Sequence, residues 1–310
     1  MVLSISSFAK INPSLRILGK RADGYHEIDT ILQTVSLHDE LRFSLRDDDQ
    51  LVIYCDDHAI PTDNSNLIAK AAHALKTVTC SEAGADVYLT KRIPAQAGLG
   101  GGSSNAAVAL LALNALWNAG QDLETLTVLA GSLGADVPFF LIGGTVRAQG
   151  IGTELSRLPN GPKYYLIIVT PNAKVATATA YKVLKAPSLT SQGSVSILSS
   201  SFAGPISSES AQGALQNDFE GVIFEIEPEI KRAKKALLEA GAQGGLLAGS
   251  GSSVFGIFEN EDARERALIS MKREVGWQVF ACETISREEY LGSLNSSLLR
   301  SLNFKTDTGA

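Results

Sequence analysis

A stretch rich in glycine and serine in the first half of the chain has the composition of a phosphate-binding loop. It begins at Pro94 and leads, after Ser104, directly into an Ala- and Leu-rich segment. Glycine allows positive φ and close approach of the backbone, so successive N–H groups can converge on an anion where a helix start adds partial positive charge. The spacing therefore predicts a cradle for a polyphosphate. Its residues are Pro94, Ala95, Gln96, Ala97, Gly98, Leu99, Gly100, Gly101, Gly102, Ser103 and Ser104.

Two better-known glycine loops are the first alternatives. A P-loop is excluded, because it needs a lysine directly before its Ser or Thr and the chain has Ser103 before Ser104. A dinucleotide fingerprint G-x-G-x-x-G could begin at Gly98, with Asp122 near the distance of a ribose-binding acid. Asp122, however, follows a helix stop and opens another helix instead of ending a strand. A glycine-rich turn that only packs a helix on a sheet stays open as a third interpretation.

Two charged residues outside the loop could carry phosphoryl transfer. The reaction needs a cation beside the moving phosphoryl group and, often, a carboxylate that takes the proton of the acceptor hydroxyl. Lys10 lies between apolar residues at the start of a strand, and Asp136 lies between a helix end and Pro138. Spacing alone leaves a structural interpretation open for each residue. Lys10 could be a lysine whose stem packs on apolar surface, and Asp136 could be an aspartate that caps a helix.

Composition narrows the class of protein. The hydrophobic content of 45% is enough for a large core. The length of 310 residues suggests two domains. No apolar run reaches the length of a membrane span and the first residues lack a signal-peptide pattern, so we expect a cytoplasmic protein without a membrane partner. A net charge of −6 opposes broad nucleic-acid binding but allows a local basic cleft for one small anion. The three cysteines and four histidines show no metal-ligand spacing.

Hydrophobic periodicity and turn signals predict a mixed α/β order. The first fifty residues form strands with an acidic hairpin tip at 47–49. A strand over 85–93 leads into the glycine loop, and a buried central helix follows it. The remaining predicted elements are helices at 66–78, 122–133, 211–225 and 229–240, strands at 144–149, 164–170 and 254–258, and a helix–strand pair that ends near Ile285. We expect domains at 1–158 and 159–290, a serine-rich insertion at 188–210 and a polar appendage at 291–310.

Five motifs occur in the order in which GHMP kinases use them, and the chain resembles that family over about Ser7 to Ile285. They are Ala9–Asn12, Gly19–His26, the glycine loop, Gly134–Pro138 and Gly249–Ser253. The resemblance implies an α/β (α+β) fold with an N-terminal ribosomal-protein-S5-like ATP-binding domain and a C-terminal ferredoxin-like substrate domain. The active site would lie in the cleft between them. The block G-K-R-x-D-G-Y-H resembles the branch of the family that phosphorylates the 2-hydroxyl of cytidine diphosphate methylerythritol in non-mevalonate isoprenoid biosynthesis.

The resemblance also implies roles for single residues. The loop from Pro94 to Ser104 would wrap the phosphates of ATP, the phosphoryl donor. Asp136 would be the base for the substrate hydroxyl, and Lys10 would pair with Asp136 and with the transferring phosphate. Asn12 would position polar groups of the substrate.

The cytosine pocket and the metal are implied in the same way. Tyr25 and His26 match the family's cytosine pocket, and Tyr181 falls where a second aromatic ring would lie against the base. Ser104 is the candidate ligand for Mg²⁺ at the helix start, where phosphate and water supply most coordination.

Three other functions compete with this interpretation. A GHMP kinase for another small alcohol is opposed by Tyr25 and His26. A non-catalytic RNA-binding module of ribosomal-protein type is opposed by the net negative charge of the chain. An oxidoreductase with a dinucleotide cofactor is opposed by Asp122, which opens a helix instead of ending a strand. We therefore expect a small-molecule substrate, no nucleic-acid partner, and a monomer or weak homodimer.

Overall fold

The computed structural model describes residues 2–173, 175–184, 215–294 and Leu298. In these ranges eleven strands occur: β1 Val2–Lys20, β2 His26–Arg46, β3 Leu51–Cys55, β4 Gly84–Thr90, β5 Thr145–Gly150, β6 Glu154–Arg157, β7 Tyr165–Pro171, β8 Gln216–Asn217, β9 Gly244–Leu247, β10 Val254–Phe258 and β11 Trp277–Glu283. The same ranges hold nine helices: α1 Leu67–Thr79, α2 Gly101–Leu116, α3 Leu123–Leu133, α4 Phe139–Ile142, α5 Thr177–Val183, α6 Glu220–Ile226, α7 Pro228–Glu239, α8 Glu261–Met271 and α9 Arg287–Ser293.

The first sheet is built around the long antiparallel hairpin of β1 and β2. Its strand order is β3-β4-β2-β1-β8, and β5 pairs with the first half of β2 and with β6. The predicted hairpin tip at 47–49 is wrong, because β3 pairs in parallel with β4 and not with β2. Within this turn Asp48 accepts two hydrogen bonds from Arg46, and Arg46 donates a third hydrogen bond to Asp86 on β4. This arrangement inserts β4, the strand that enters the glycine loop, between β2 and β3.

Helices α1 to α4 pack on one face of this sheet, and α2 is the central one, as predicted. Alanine and leucine around its whole circumference are buried, which is typical of a helix enclosed by other elements. Side chains cap the two flanking helices: Asn66 accepts from the Ile68 N–H at α1 and Asp122 from the Thr125 N–H at α3. Asp122 is therefore a helix cap, as its sequence context indicated, and not the end of a strand.

The second sheet is antiparallel, with the order β11-β7-β10-β9, and α7 and α8 pack on one face. In chain order, two β-α-β units give the order 4-1-3-2, the ferredoxin-like arrangement that the resemblance implied. The predicted helix over 211–225 is wrong in its middle, because Gln216 and Asn217 form β8 and pair with Ser14 and Leu15. Residues 211–214 lie outside the described part of the chain.

The open face of the second sheet packs on β1 and β2, so the two sheets share a core. Ala9, Ile11 and Val35 of the first sheet meet Ile168 and Phe255 of the second. The serine-rich segment 188–210 and most of the tail 291–310 lie outside the described residues. Leu294 and Leu298, however, are buried in the core of the first sheet, in contrast to the appendage expected from residue 291. None of the described helices combines the length and the apolarity that crossing a membrane requires.

Candidate active site

The glycine loop lies at the wall of a cleft, with the first turn of α2 directly behind it. Gly98 and Gly100 have φ of 78° and 73°, the left-handed region that a side chain disfavours. Gly100 caps α2, and its carbonyl accepts the N–H of Ser104, so the N–H groups of residues 101–103 precede the first intrahelical bond. These groups and the helix dipole can bind an anion.

The motif Gly249–Ser253 and the residue before it contact the glycine loop. A Cβ on Gly98 would lie 2.0 Å from the carbonyl oxygen of Ala248, so the two backbones touch. The Ser253 N–H donates to the Ala97 carbonyl at 3.1 Å. Asn217, which sequence reasoning did not single out, donates to the carbonyls of Leu247 and Gly249 at 2.8 and 2.7 Å. The second half of the chain thereby fixes the glycine loop of the first.

Lys10 projects from β1 to the base of the cleft. Its side chain is only 5% exposed, and Nζ donates to Asn12 Oδ1 at 2.7 Å and lies 3.5 Å from Asp136 Oδ2. The Asn12 amide is fixed at its other end, because Nδ2 donates to Thr30 Oγ1, which donates to the Ser14 carbonyl. A buried ammonium is tolerated only where such partners meet it. The structure thus brings Lys10, Asn12 and Asp136 together.

Asp136 reaches the cleft from the turn between α3 and α4. The Val137 N–H donates to the Gly134 carbonyl at 3.1 Å, so the residue lies within a tight turn. The Asp136 side chain is 40% exposed and lines the same cavity as Lys10 and the glycine loop. A carboxylate with one side on a cation and the other open to a ligand can accept a proton from a bound hydroxyl.

Aromatic rings form the other end of the cleft. The His26 and Tyr181 rings are stacked, with centroids 4.8 Å apart, and Phe219 contacts Tyr181 edge-on at 4.9 Å. Burial, with Lys20 nearby, lowers the pKa of His26, and burial together with the Asp136 charge raises the pKa of Tyr181 to about 12. Tyr25 is 62% exposed and lines the cavity beside His26.

The cleft has a volume of about 1670 Å³ and carries positive charge. Its charged lining residues within the described chain are Lys10, Lys20, Lys91, Lys182 and Asp136. Asp39 pairs with Lys91, so Lys10, Lys20 and Lys182 around one cleft carboxylate concentrate positive potential in a chain of net charge −6. The cleft is thus the local basic site that the composition allowed.

The donor set for a metal ion is sparse. The described residues contain no group of three or more His, Cys, Asp or Glu that could hold one. The Ser104 hydroxyl is buried and accepts a hydrogen bond from Ser7 at 2.7 Å, whereas Ser103 lines the cleft. Such a wall fits Mg²⁺ that is bound mainly by phosphate oxygens and water, and not a metal centre made by the protein alone.

Sequence reasoning missed a slot at the far side of the glycine loop. Residues before and at the start of α1 line it, together with residues at the end of β4 and just after it; these are Ile60, Pro61, Asn66, Leu67, Leu89 and Lys91. The Lys91 ammonium donates to Asp39 and to the Ile93 carbonyl, both at 2.6 Å, which fixes the entry to the loop. The lysine immediately before the loop was the available signal, whereas the residues before α1 carry no motif.

The chain matches known proteins over both halves. The family model "GHMP kinases N terminal domain" matches residues 66–144, and "GHMP kinases C terminal" matches residues 203–276. A 4-diphosphocytidyl-2-C-methyl-D-erythritol kinase from Geobacter sp. (strain M21) is 38% identical over 91% of this chain and 99% of the relative. One of the same name from Pelotomaculum thermopropionicum is 41% identical over 86% of this chain and 93% of its own length.

Solved structures agree with these relatives. A crystal structure of 4-(cytidine 5'-diphospho)-2C-methyl-D-erythritol kinase superimposes with a TM-score of 0.75 at 32% identity, covering 91% of this chain and 99% of the other. A homoserine kinase from Cytophaga hutchinsonii gives a TM-score of 0.67 at 22% identity, covering 92% and 95%. The latter likeness concerns the fold alone.

Proposed function

The chain belongs to the 4-diphosphocytidyl-2-C-methyl-D-erythritol kinases among the GHMP kinases, and from that premise we propose how its residues carry out the reaction. It transfers the γ-phosphoryl group of ATP to the 2-hydroxyl of 4-diphosphocytidyl-2-C-methyl-D-erythritol, which gives the 2-phosphate and ADP in non-mevalonate isoprenoid precursor biosynthesis. One observation supports the assignment of the reacting groups above all: the ion pair of Lys10 and Asp136 lies at the base of the cleft that the glycine loop lines.

In the proposed mechanism Asp136 takes the proton of the 2-hydroxyl. The freed oxygen attacks the γ-phosphorus, the bond from that phosphorus to the β–γ bridging oxygen breaks, and ADP leaves. Lys10, whose ammonium lies 3.5 Å from the Asp136 carboxylate, offsets the charge that develops on the phosphoryl oxygens. Asn12, held by Thr30, fixes the direction of the Lys10 ammonium, and its contact with the substrate stays a prediction.

The donor nucleotide would lie along the glycine loop. The N–H groups of Gly101, Gly102 and Ser103 would receive the phosphates, and the slot beside Leu67 and Lys91 would receive the adenine ring. Mg²⁺ would be held by phosphate oxygens with a hydroxyl at the start of α2, Ser103 on the wall or Ser104 behind it. When bound, the ion neutralises charge on the phosphates.

The acceptor would place its cytosine at the aromatic end of the cleft. The exposed Tyr25 ring supplies a stacking surface, and His26 supplies a polar edge for hydrogen bonds. Tyr181 already stacks on His26, so the pair forms a preassembled wall for the base. Lys20 and Lys182 line the same region and would face the diphosphate.

The experiment that tests this function is release of ADP with Mg²⁺ and ATP, measured against several acceptors. Turnover is expected with 4-diphosphocytidyl-2-C-methyl-D-erythritol and not with homoserine, mevalonate, galactose or no acceptor. Turnover with another alcohol would retain the kinase and overturn the roles of Tyr25 and His26. No turnover with any acceptor would remove the kinase assignment, and binding of structured RNA would then be the next measurement.

A further inference from the structure

Helix α9 ties the end of the described chain to the first domain. It follows the last strand of the second sheet, yet its Tyr290 side chain is 1% exposed and lies in the core of the first sheet and its helices. Leu294, directly after the helix, and Leu298 are buried in the same core. Arg287 at the start of α9 donates to the Thr145 carbonyl at 2.7 Å. The helix therefore leaves its own domain and packs behind the active-site turn of the other.

Tyr290 contacts both the middle and the end of α4, the single helical turn that follows Asp136. Its hydroxyl donates a hydrogen bond to the Phe140 carbonyl. Its ring lies on the backbone of Gly143, where a Cβ would be 2.1 Å from a ring carbon. A four-residue helix has almost no stability of its own, so contacts from outside determine where α4 lies.

The Phe140 ring extends this contact to the reacting groups. A Cβ on Gly100 would lie 2.8 Å from Phe140 Cζ and 3.0 Å from Lys10 Cγ, so the ring, the glycine loop and the lysine stem meet at one point. The Phe140 N–H also donates to the Val137 carbonyl at 3.1 Å, which joins α4 to the turn that carries Asp136. A displacement of α4 would move both partners of the ion pair relative to the loop.

Building on the function proposed above, we propose that Tyr290 is a positioning residue for phosphoryl transfer, which holds α4 and the Phe140 ring against the glycine loop and the Lys10 stem. Burial raises the pKa of the Tyr290 phenol, so the hydroxyl remains a donor throughout the pH range of an assay. The Tyr290 ring also packs edge-on against Phe8, two residues before Lys10 on β1, at 5.7 Å. Tyr290 thus contacts β1, which carries Lys10, and α4, which follows Asp136, without touching the substrate.

The test is Tyr290→Phe, which keeps the ring and removes the O–H donor. Because small misplacements of reacting groups reduce turnover steeply, we expect kcat to fall by about 10-fold with KM for both substrates changed by less than about twofold. Phe140→Leu tests the same path from its other end and replaces the first variant should that fail to fold. If the two residues act in one path, the double variant loses less than the product of the single losses.

A matched control separates positioning from stability. Leu237→Val makes a small cavity in the core of the second sheet at a residue that does not line the cleft, and should lower the melting temperature with kcat unchanged. A Tyr290→Phe enzyme with normal kcat and a lower melting temperature would overturn the proposal, as would fully independent effects of Tyr290→Phe and Phe140→Leu. An unmodified protein without kinase activity would instead contradict the proposed function, so the two failures are distinguishable.

Discussion

Replacing Asp136 with asparagine tests the reacting pair, because the expected effects on stability and on catalysis differ widely. Two unit charges 3.5 Å apart interact by about 5 kcal/mol at an effective dielectric constant of about 20. The Asp136 side chain is 40% exposed, so water screens the pair and its net contribution to stability is about 1 kcal/mol or less. Asn12 continues to accept a hydrogen bond from Lys10 in the variant. The fold should therefore tolerate the change.

Catalysis should not tolerate it, because an amide cannot take the proton of the acceptor hydroxyl. Loss of a general base costs about 10²–10⁴-fold in kcat, or about 3–5 kcal/mol of transition-state stabilisation. The catalytic loss is thus several times the loss in folding free energy. Acceptor binding should persist, since the recognition groups at the aromatic end are unchanged.

The assay measures ADP release at saturating Mg-ATP and acceptor, with a thermal melt and acceptor titration on the same preparation. Asp122→Asn is the matched control, since the same chemical change at the cap of α3 leaves a good N-cap at a residue that does not line the cleft. A kcat of Asp136→Asn within about threefold of the unmodified enzyme would refute the role of the carboxylate as the base. A melting temperature lowered far beyond that of the control would refute the screened, weakly stabilising pair.

Three further substitutions probe the loop and the aromatic end. Tyr25→Ala should raise KM for the cytidyl substrate about tenfold through lost stacking and leave KM for ATP unchanged, and equal changes in both KM values would make Tyr25 structural. Gly100→Ala places a Cβ at positive φ against Phe140 and Lys10, so kcat and the melting temperature should both fall, and normal kinetics would contradict the close contact. Because the pKa of His26 is lowered, its neutral form contributes stability that is lost as the pH falls through that pKa. KM for the acceptor should rise as the pH falls below about 6.5, the ordinary pKa of histidine, and an identical profile for His26→Gln would assign the titration elsewhere.

Local sequence was sufficient for the parts of the site that a short segment builds. Gly98 and Gly100 adopt positive φ and the helix start follows at once, so the conformation of the glycine loop could be predicted from composition, whereas its binding of phosphate stays a prediction. The buried setting of Lys10 was indicated by its apolar neighbours. The pairing of Lys10 with Asp136 came from the resemblance, since 126 positions separate them and no local rule relates the two.

Long-range pairing was not visible in the same way. The acidic turn at 47–49 has the composition of a hairpin tip, but whether β3 pairs with β2 or with β4 depends on contacts distant in sequence. The two residues of β8 fall in a segment with helical composition and are determined by pairing with β1. The chain end did leave a signal, because Tyr290, Leu294 and Leu298 are large apolar residues at four-residue spacing, although helix α9 ends before Leu294. The surrounding polar residues obscured it.

The hairpin of β1 and β2 explains why recognition and chemistry should respond separately to mutation. Lys10 pairs with Thr34 in the middle of the hairpin, whereas Lys20 pairs with His26 at its end, ten residues further along β1. The register shifts between Ile11 and Ser14, an irregularity that redirects side chains between the two ends. A change at the turn can thus alter base binding without moving the ammonium. This separation is why Tyr25→Ala is expected to act on KM and Asp136→Asn on kcat.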